Sequence, residues 1–222
     1  MVGISYLDLG DFQKSLEYFK SGLKMFYQLN PAPYEKIAAL QSNIAYNYNK
    51  LGNHEKALKY AQASVDIFKK KYPNGHPRAI YSLDDFGDSL IRTNKVKQGL
   101  EILHEALKLS QQFGMEKHYI TAFVLQDLGR GYFKRKDYHT ALKYAEKALI
   151  LRRELYGSQN YHELAESLHN LAEINVALGN KNNGLQLYKD ALAMYVALSL
   201  EHLPEVDEIK QKIKDLASIS RS

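Results

Sequence analysis

The sequence predicts an all-α protein, a solenoid of about five stacked helix hairpins closed by a C-terminal capping helix. Three observations carry that expectation. Five segments repeat at a nearly constant period, their apolar residues recur at three- and four-residue spacing, and prolines stand only between them.

The segments read SLEYFKSGLKMF from Ser15, ALKYAQASVDIF from Ala57, GLEILHEALKLS from Gly99, ALKYAEKALILR from Ala141 and GLQLYKDALAMY from Gly184, so the spacing is 42, 42, 42 and 43 residues. A short turn precedes each: Leu9-Gly10-Asp11, Leu51-Gly52-Asn53, Thr93-Asn94-Lys95, Arg135-Lys136-Asp137 and Leu178-Gly179-Asn180. Glycine or asparagine there suits a helix end that needs positive φ. Ahead of the turns lies a second amphipathic segment, clearest in IAALQSNIAYNYNK, YSLDDFGDSLIR, FVLQDLGRGYFKR and ESLHNLAEINVAL. Pro31, Pro33, Pro73 and Pro77 fall in the longer connections, where they break no helix. Each unit therefore reads as a helical hairpin (helix A, turn, helix B). After Leu203-Pro204, the segment EVDEIKQKIKDLASI places Val206, Ile209, Ile213 and Leu216 on one face of a polar helix. That is a solvating cap, with a sixth, degenerate repeat as the alternative.

Small residues recur at fixed places. Helix A carries Gly3, Ala45, Gly87, Gly129 and Ala172; helix B opens with Ser15, Ala57, Gly99, Ala141 and Gly184, and seven residues later has Gly22, Ser64, Ala106, Ala148 and Ala191. Close helix crossing demands them. Three residues after the first small position come Tyr6, Tyr48, Leu90, Tyr132 and Asn175. This pattern, over nearly the whole chain, resembles the tetratricopeptide repeat, which implies a right-handed superhelix with helix A lining its concave face. The early tryptophan slot of that family is filled by Gln41, Leu83, Leu125 and Leu168, and tyrosines recur in helix B at Tyr18, Tyr60, Tyr144 and Tyr188. Asn175 departs from the aromatic pattern, so looser packing is expected in the last hairpin.

The ordinary period of the family is about 34 residues. The longer spacing, with Arg152-Arg153-Glu154-Leu155-Tyr156-Gly157 leading into Leu168-His169-Asn170-Leu171-Ala172, and with His76-Pro77, resembles the kinesin light chain type. Bacterial peptide-sensing regulators of the Rap and NprR kind are a looser resemblance. The expected organisation is an array over residues 1–202, with units near 1–28, 31–71, 76–112, 115–155 and 160–200, and a capping helix and tail over 203–222. Counted back from Gly3, the first helix A would begin about five residues before Met1, so a fragment of a longer array, or an array that ends abruptly, is expected.

Composition narrows the function classes. The 222 residues contain no cysteine, which excludes a disulfide framework and every thiolate-dependent site. Thirty basic against twenty-five acidic residues leave a net charge of +5, too mild without a patch to imply nucleic acid. No window approaches a membrane span, and MVGISYLDLGDF lacks the features of a signal peptide. A cytoplasmic protein that binds neither membrane nor nucleic acid is expected.

The resemblance places candidate groove residues on helix A of each unit. They are Asn43, Tyr46, Asn49 and Lys50 in the second unit, and Tyr81, Asp84, Asp88 and Arg92 in the third. The fourth offers Phe123, Asp127, Arg130 and Lys134, and the fifth His169, Asn170 and Glu173. Lys50, Arg92 and Lys134 form a basic row; Asn43, Asp85, Asp127 and Asn170 form a polar one. Asparagine can both donate to and accept from a peptide backbone, arginine can take a carboxylate bidentately, and aromatic rings can anchor. Aspartate at Asp85 and Asp127 argues against the clamp that captures chaperone C-termini. Acidic groups at Asp84, Asp88, Glu166 and Glu173 point to a ligand of mixed charge.

Catalytic readings find little footing. His162, Glu166 and His169 share a helix face, but HELAESLH is not HExxH and no further ligand is evident. No metal, cofactor or catalytic residue is expected. The GRG at Gly129–Gly131 stands at packing positions, and Lys69-Lys70-Lys71 ends a helix where cations suit the dipole. The expected function is a non-enzymatic scaffold that binds an extended peptide or protein segment in the concave groove. A peptide-sensing module of a larger signalling or transcription-regulating protein is the alternative, and a homodimer through the first hairpin or the cap a third.

Overall fold

The computed structural model describes residues 2–157 and 161–219. The expected tail beyond Ile219 lies outside the described residues. Eleven helices are described: α1 (Val2–Asp8), α2 (Phe12–Tyr27), α3 (Tyr34–Lys50), α4 (His54–Lys71), α5 (Ala79–Arg92), α6 (Val96–Gln112), α7 (Tyr119–Lys134), α8 (Tyr138–Tyr156), α9 (His162–Ala177), α10 (Lys181–Ala197) and α11 (Pro204–Ile219). No strand occurs among the described residues. The chain divides into two compact units, Met1–Glu116 and Lys117–Ser222, where the repeat pattern announces one continuous array.

The turn triplets are compact linkers between helices A and B. Their middle residues, Gly10, Asn94, Lys136 and Gly179 among them, have positive φ, as does Gly52. Their last residues begin the next helix: Asp11, Asn53 and Asp137 accept from the backbone N–H of Lys14, Lys56 and Thr140. The same residues turn their own N–H groups back, Asp11 to the Tyr6 carbonyl at 2.9 Å, Asn53 to Tyr48 at 2.8 Å and Asp137 to Tyr132 at 3.0 Å. Lys95 and Asn180 do likewise to Leu90 and Asn175. One triplet thus closes helix A and opens helix B.

The small residues sit at the crossing. Ala45, Ala57, Ala141 and Ala172 are wholly buried. In the third hairpin both positions are glycine, and a Cβ on Gly99 would stand 2.7 Å from Ile91 Cγ1 and 2.8 Å from the Gly87 carbonyl oxygen. The tryptophan-slot substitutes Gln41, Leu83, Leu125 and Leu168 are all buried.

Tyrosines join the two helices of three hairpins. Tyr6 stacks on Tyr18, Tyr48 on Tyr60 and Tyr132 on Tyr144, with ring centroids 5.4, 5.7 and 5.4 Å apart. Tyr188 does not belong to this row: one residue out of register, it is buried against the His169 ring at 5.8 Å. Asn175, expected to loosen the last hairpin, instead ties it. Its Nδ2 donates to the Leu171 carbonyl at 2.9 Å, and its Oδ1 accepts from Asn183 Nδ2 at 2.9 Å.

The last helix packs on α10. It buries Val206, Ile209 and Leu216, with Leu203 just before it, while Ile213 is half-buried. Pro204 follows His162, the first residue of α9, by one 42-residue period. The capping helix therefore stands in sequence where helix A of a sixth unit would begin.

Candidate functional site

Within Met1–Glu116 the candidate residues lie on α3 and α5. Asn43, Tyr46, Lys50 and Tyr81 are half-buried. The Lys50 ammonium stands 5.6 Å from the Tyr46 ring centroid and 6.0 Å from that of Phe12, within cation–π range. Asn49, Asp84 and Asp88 are buried. The Asn49 amide is engaged within the fold: Nδ2 donates to Asp88 Oδ2 at 3.1 Å and Ser89 Oγ at 3.0 Å, and Oδ1 lies 3.2 Å from His54 Nδ1. The Ser42 hydroxyl donates to the Asp85 carboxylate across the same helix pair. Asn49 and Asp88 therefore lace α3 to α5 instead of standing open to a ligand.

Arg92 is also engaged. Its Nε donates to Asp88 Oδ2 at 2.7 Å, one turn back along α5, and its side chain is 27% exposed. It lines, with Thr93 and the Leu51–Glu55 turn, an open hollow of about 410 Å³. A second hollow, about 510 Å³, opens between α4 and α6, walled by Phe68, Tyr72, Leu83 and Leu109, away from the expected face.

Within Lys117–Ser222 the candidates lie on α7 and α9. Arg130 Nη1 donates to Asp127 Oδ1 at 2.6 Å, repeating the arginine–aspartate pairing with a three-residue step. Phe123 and Asn170 are half-buried and Lys134 is exposed. Over the Phe123 ring, 4.8 Å from its centroid, lies the guanidinium of Arg152.

Arg152, from α8, is the largest fully buried side chain described. Its Nη1 donates to the Glu163 carbonyl at 2.7 Å, to Ser167 Oγ and to Gln126 Oε1. Burial lowers its pKa, and the charges of Glu166 and Glu163 act in the opposite direction. Gln126 in turn donates to Glu166 at 3.5 Å. A buried charge needs such surroundings, since an unpaired one costs several kcal/mol. Sequence reading noticed Arg152 only as part of a family-like run; no spacing rule distinguishes a buried arginine on helix B from a solvated one.

The histidines take different neighbours from those expected. His162, Glu166 and His169 do not form one group. His162 Nε2 lies 3.8 Å from Glu166 Oε1, and with Glu205 of α11 these residues bring three potential ligand atoms within 4.8 Å of one another. His169 groups instead with Glu173 and, again from α11, Glu208, within the same limit. Sequence reading missed both α11 carboxylates because it treated that helix as a solvating cap. The 42-residue offset from α9 was the available signal.

No helix among the described residues is long and apolar enough to cross a membrane. The tetratricopeptide repeat profile matches residues 36–98, 84–149 and 127–195. Over 154 residues the chain is 25% identical to a secreted RxLR effector protein of Plasmopara halstedii, covering 61% of this chain and 46% of that one. The chain thus spans less than half the length of that relative. Among solved structures it is similar to the TPR-like repeats of a Podosopora anserina kinesin light chain, with TM-score 0.60, 17% identity and coverage of 89% of this chain and 93% of the other. It is also similar to a Rap protein complexed with Competence and Sporulation Factor, with TM-score 0.75, 15% identity and coverage of 98% and 61%. With the profile matched over most of its length, the chain belongs to the tetratricopeptide repeat family.

Proposed function

We propose that this protein is a non-enzymatic interaction scaffold whose helix-A faces take an extended peptide or protein segment of mixed charge. The supporting observation is the division of labour on those helices. Ser42, Asn49, Asp88, Gln126 and Ser167 are buried and bonded to the fold, while Asn43, Tyr46, Tyr81, Phe123 and Asn170 remain half-buried. Amides suit a peptide backbone and aromatic rings supply anchors. An ordering cost for the ligand keeps affinity moderate.

The test is a displayed peptide library selected on the full chain, followed by affinity measurement of the selected peptides. Asn43→Ala with Tyr46→Ala, and separately Asn170→Ala, should weaken binding by about tenfold or more, the loss of one or two anchors. Lys189→Ala, on the exposed side of α10, should leave it unchanged. Equal affinity in all variants, with unchanged circular dichroism, would overturn the reading. Likeness to a Rap protein complexed with Competence and Sporulation Factor supports the alternative of a peptide-sensing module. That alternative requires the bound peptide to change the state of an attached domain.

A further inference from the structure

We propose that His169, Glu173 and Glu208 form a binding site for a divalent transition-metal ion of the zinc class, joining α9 to α11. The inference stands apart from peptide binding and reverses the expectation that the chain holds no metal. His169 and Glu173 lie one turn apart on α9, and Glu208 comes from α11. One ring nitrogen and one oxygen from each carboxylate lie within 4.8 Å of one another. An ion held at about 2.0–2.2 Å from each ligand atom would draw these three groups closer together than they stand.

A second observation points to a ligand. His169 Nε2 is sealed from solvent with no hydrogen-bond partner, a rare condition for a buried polar atom. Two carboxylates therefore stand beside a sealed imidazole. Glu208 is exposed, which leaves an entry path. Imidazole with carboxylate suits zinc and its transition-metal neighbours, whereas calcium and magnesium favour all-oxygen shells.

The neighbouring His162, Glu166 and Glu205 group supplies an internal comparison. His162 Nε2 is sealed and without a hydrogen-bond partner as well, 3.8 Å from Glu166 Oε1, but Glu166 already accepts from Gln126 and answers the charge of Arg152, so it offers an ion less. Cobalt(II), followed by its visible absorption, and zinc(II), followed by calorimetry, would be titrated into the metal-stripped full chain. One saturable ion per chain is expected. Glu208→Gln, a change at an exposed residue, should lower affinity by at least about tenfold, as should Glu173→Gln. Glu205→Gln should leave it nearly unchanged. Absence of saturable binding, retention of it in Glu208→Gln, or its loss in Glu205→Gln alone would each overturn the assignment.

Discussion

Lys136 carries φ of 63° in the turn between α7 and α8, where the equivalent turns place Gly10, Gly52, Asn94 and Gly179. A lysine Cβ is crowded in that conformation, at a cost of about 1–2 kcal/mol, part of which glycine would return as backbone entropy. Lys136→Gly should therefore raise stability by about 0.5–1 kcal/mol, read as the urea midpoint of unfolding. The location of this turn was legible from Arg135-Lys136-Asp137 by register with its siblings. Its strain was not, because lysine by itself signals nothing about φ. Arg152 is the opposite case. Its neighbours Gln126, Glu163 and Ser167 converge from two other helices, and no window of sequence contains that convergence.

At the scale of the element, helix pairing was largely readable because steric demands recur with the period. Gly87 and Gly99 match the small positions of the family pattern, which implies a close crossing there, and a Cβ at either position meets atoms closer than 3 Å. What register could not supply was compensation: Asn175 breaks the tyrosine row, yet its bonds to Leu171 and Asn183 replace ring stacking with an amide clasp. A second clasp holds the connection after α4. Tyr72 donates to Glu35 Oε1 at 2.6 Å, and His76 Nε2 stands 3.7 Å from the same oxygen. The tyrosine hydrogen bond, followed by the nearby His76 and Arg78 charges, holds the Glu35 carboxyl below its usual pKa. A lowered folded-state value means the contribution is complete above the ordinary glutamate range and is lost as pH falls through the folded value. Glu35→Gln should accordingly flatten the acid limb of stability. Thermal midpoints from about pH 7 to about pH 3 would show it, and parallel curves for variant and wild type would contradict the clasp.

For the molecule as a whole, the repeat revealed the fold, and the family resemblance it carries implied the candidate positions. The division at Glu116 and Lys117 was not visible, because each hairpin matches the period equally well on either side. Nor was the use of α11, whose amphipathic pattern is the same for a cap as for a helix that lends Glu205 and Glu208 to α9. Function at this scale turns on which helix-A side chains remain to meet a partner.

Arg92 and Arg130 each already hold an aspartate of their own helix, at 2.7 and 2.6 Å. A ligand carboxylate that reaches either arginine enters by exchange, displacing Asp88 or Asp127. One carboxylate leaves as another arrives, so little screening is gained or lost in the step. Affinity for an acidic ligand residue should then vary by less than about threefold between 50 and 500 mM salt, far less than a bare cation would give. The freed aspartate is simultaneously offered to a basic neighbour in the same ligand. Under the proposed binding mode, such a surface would select alternating charge over net charge.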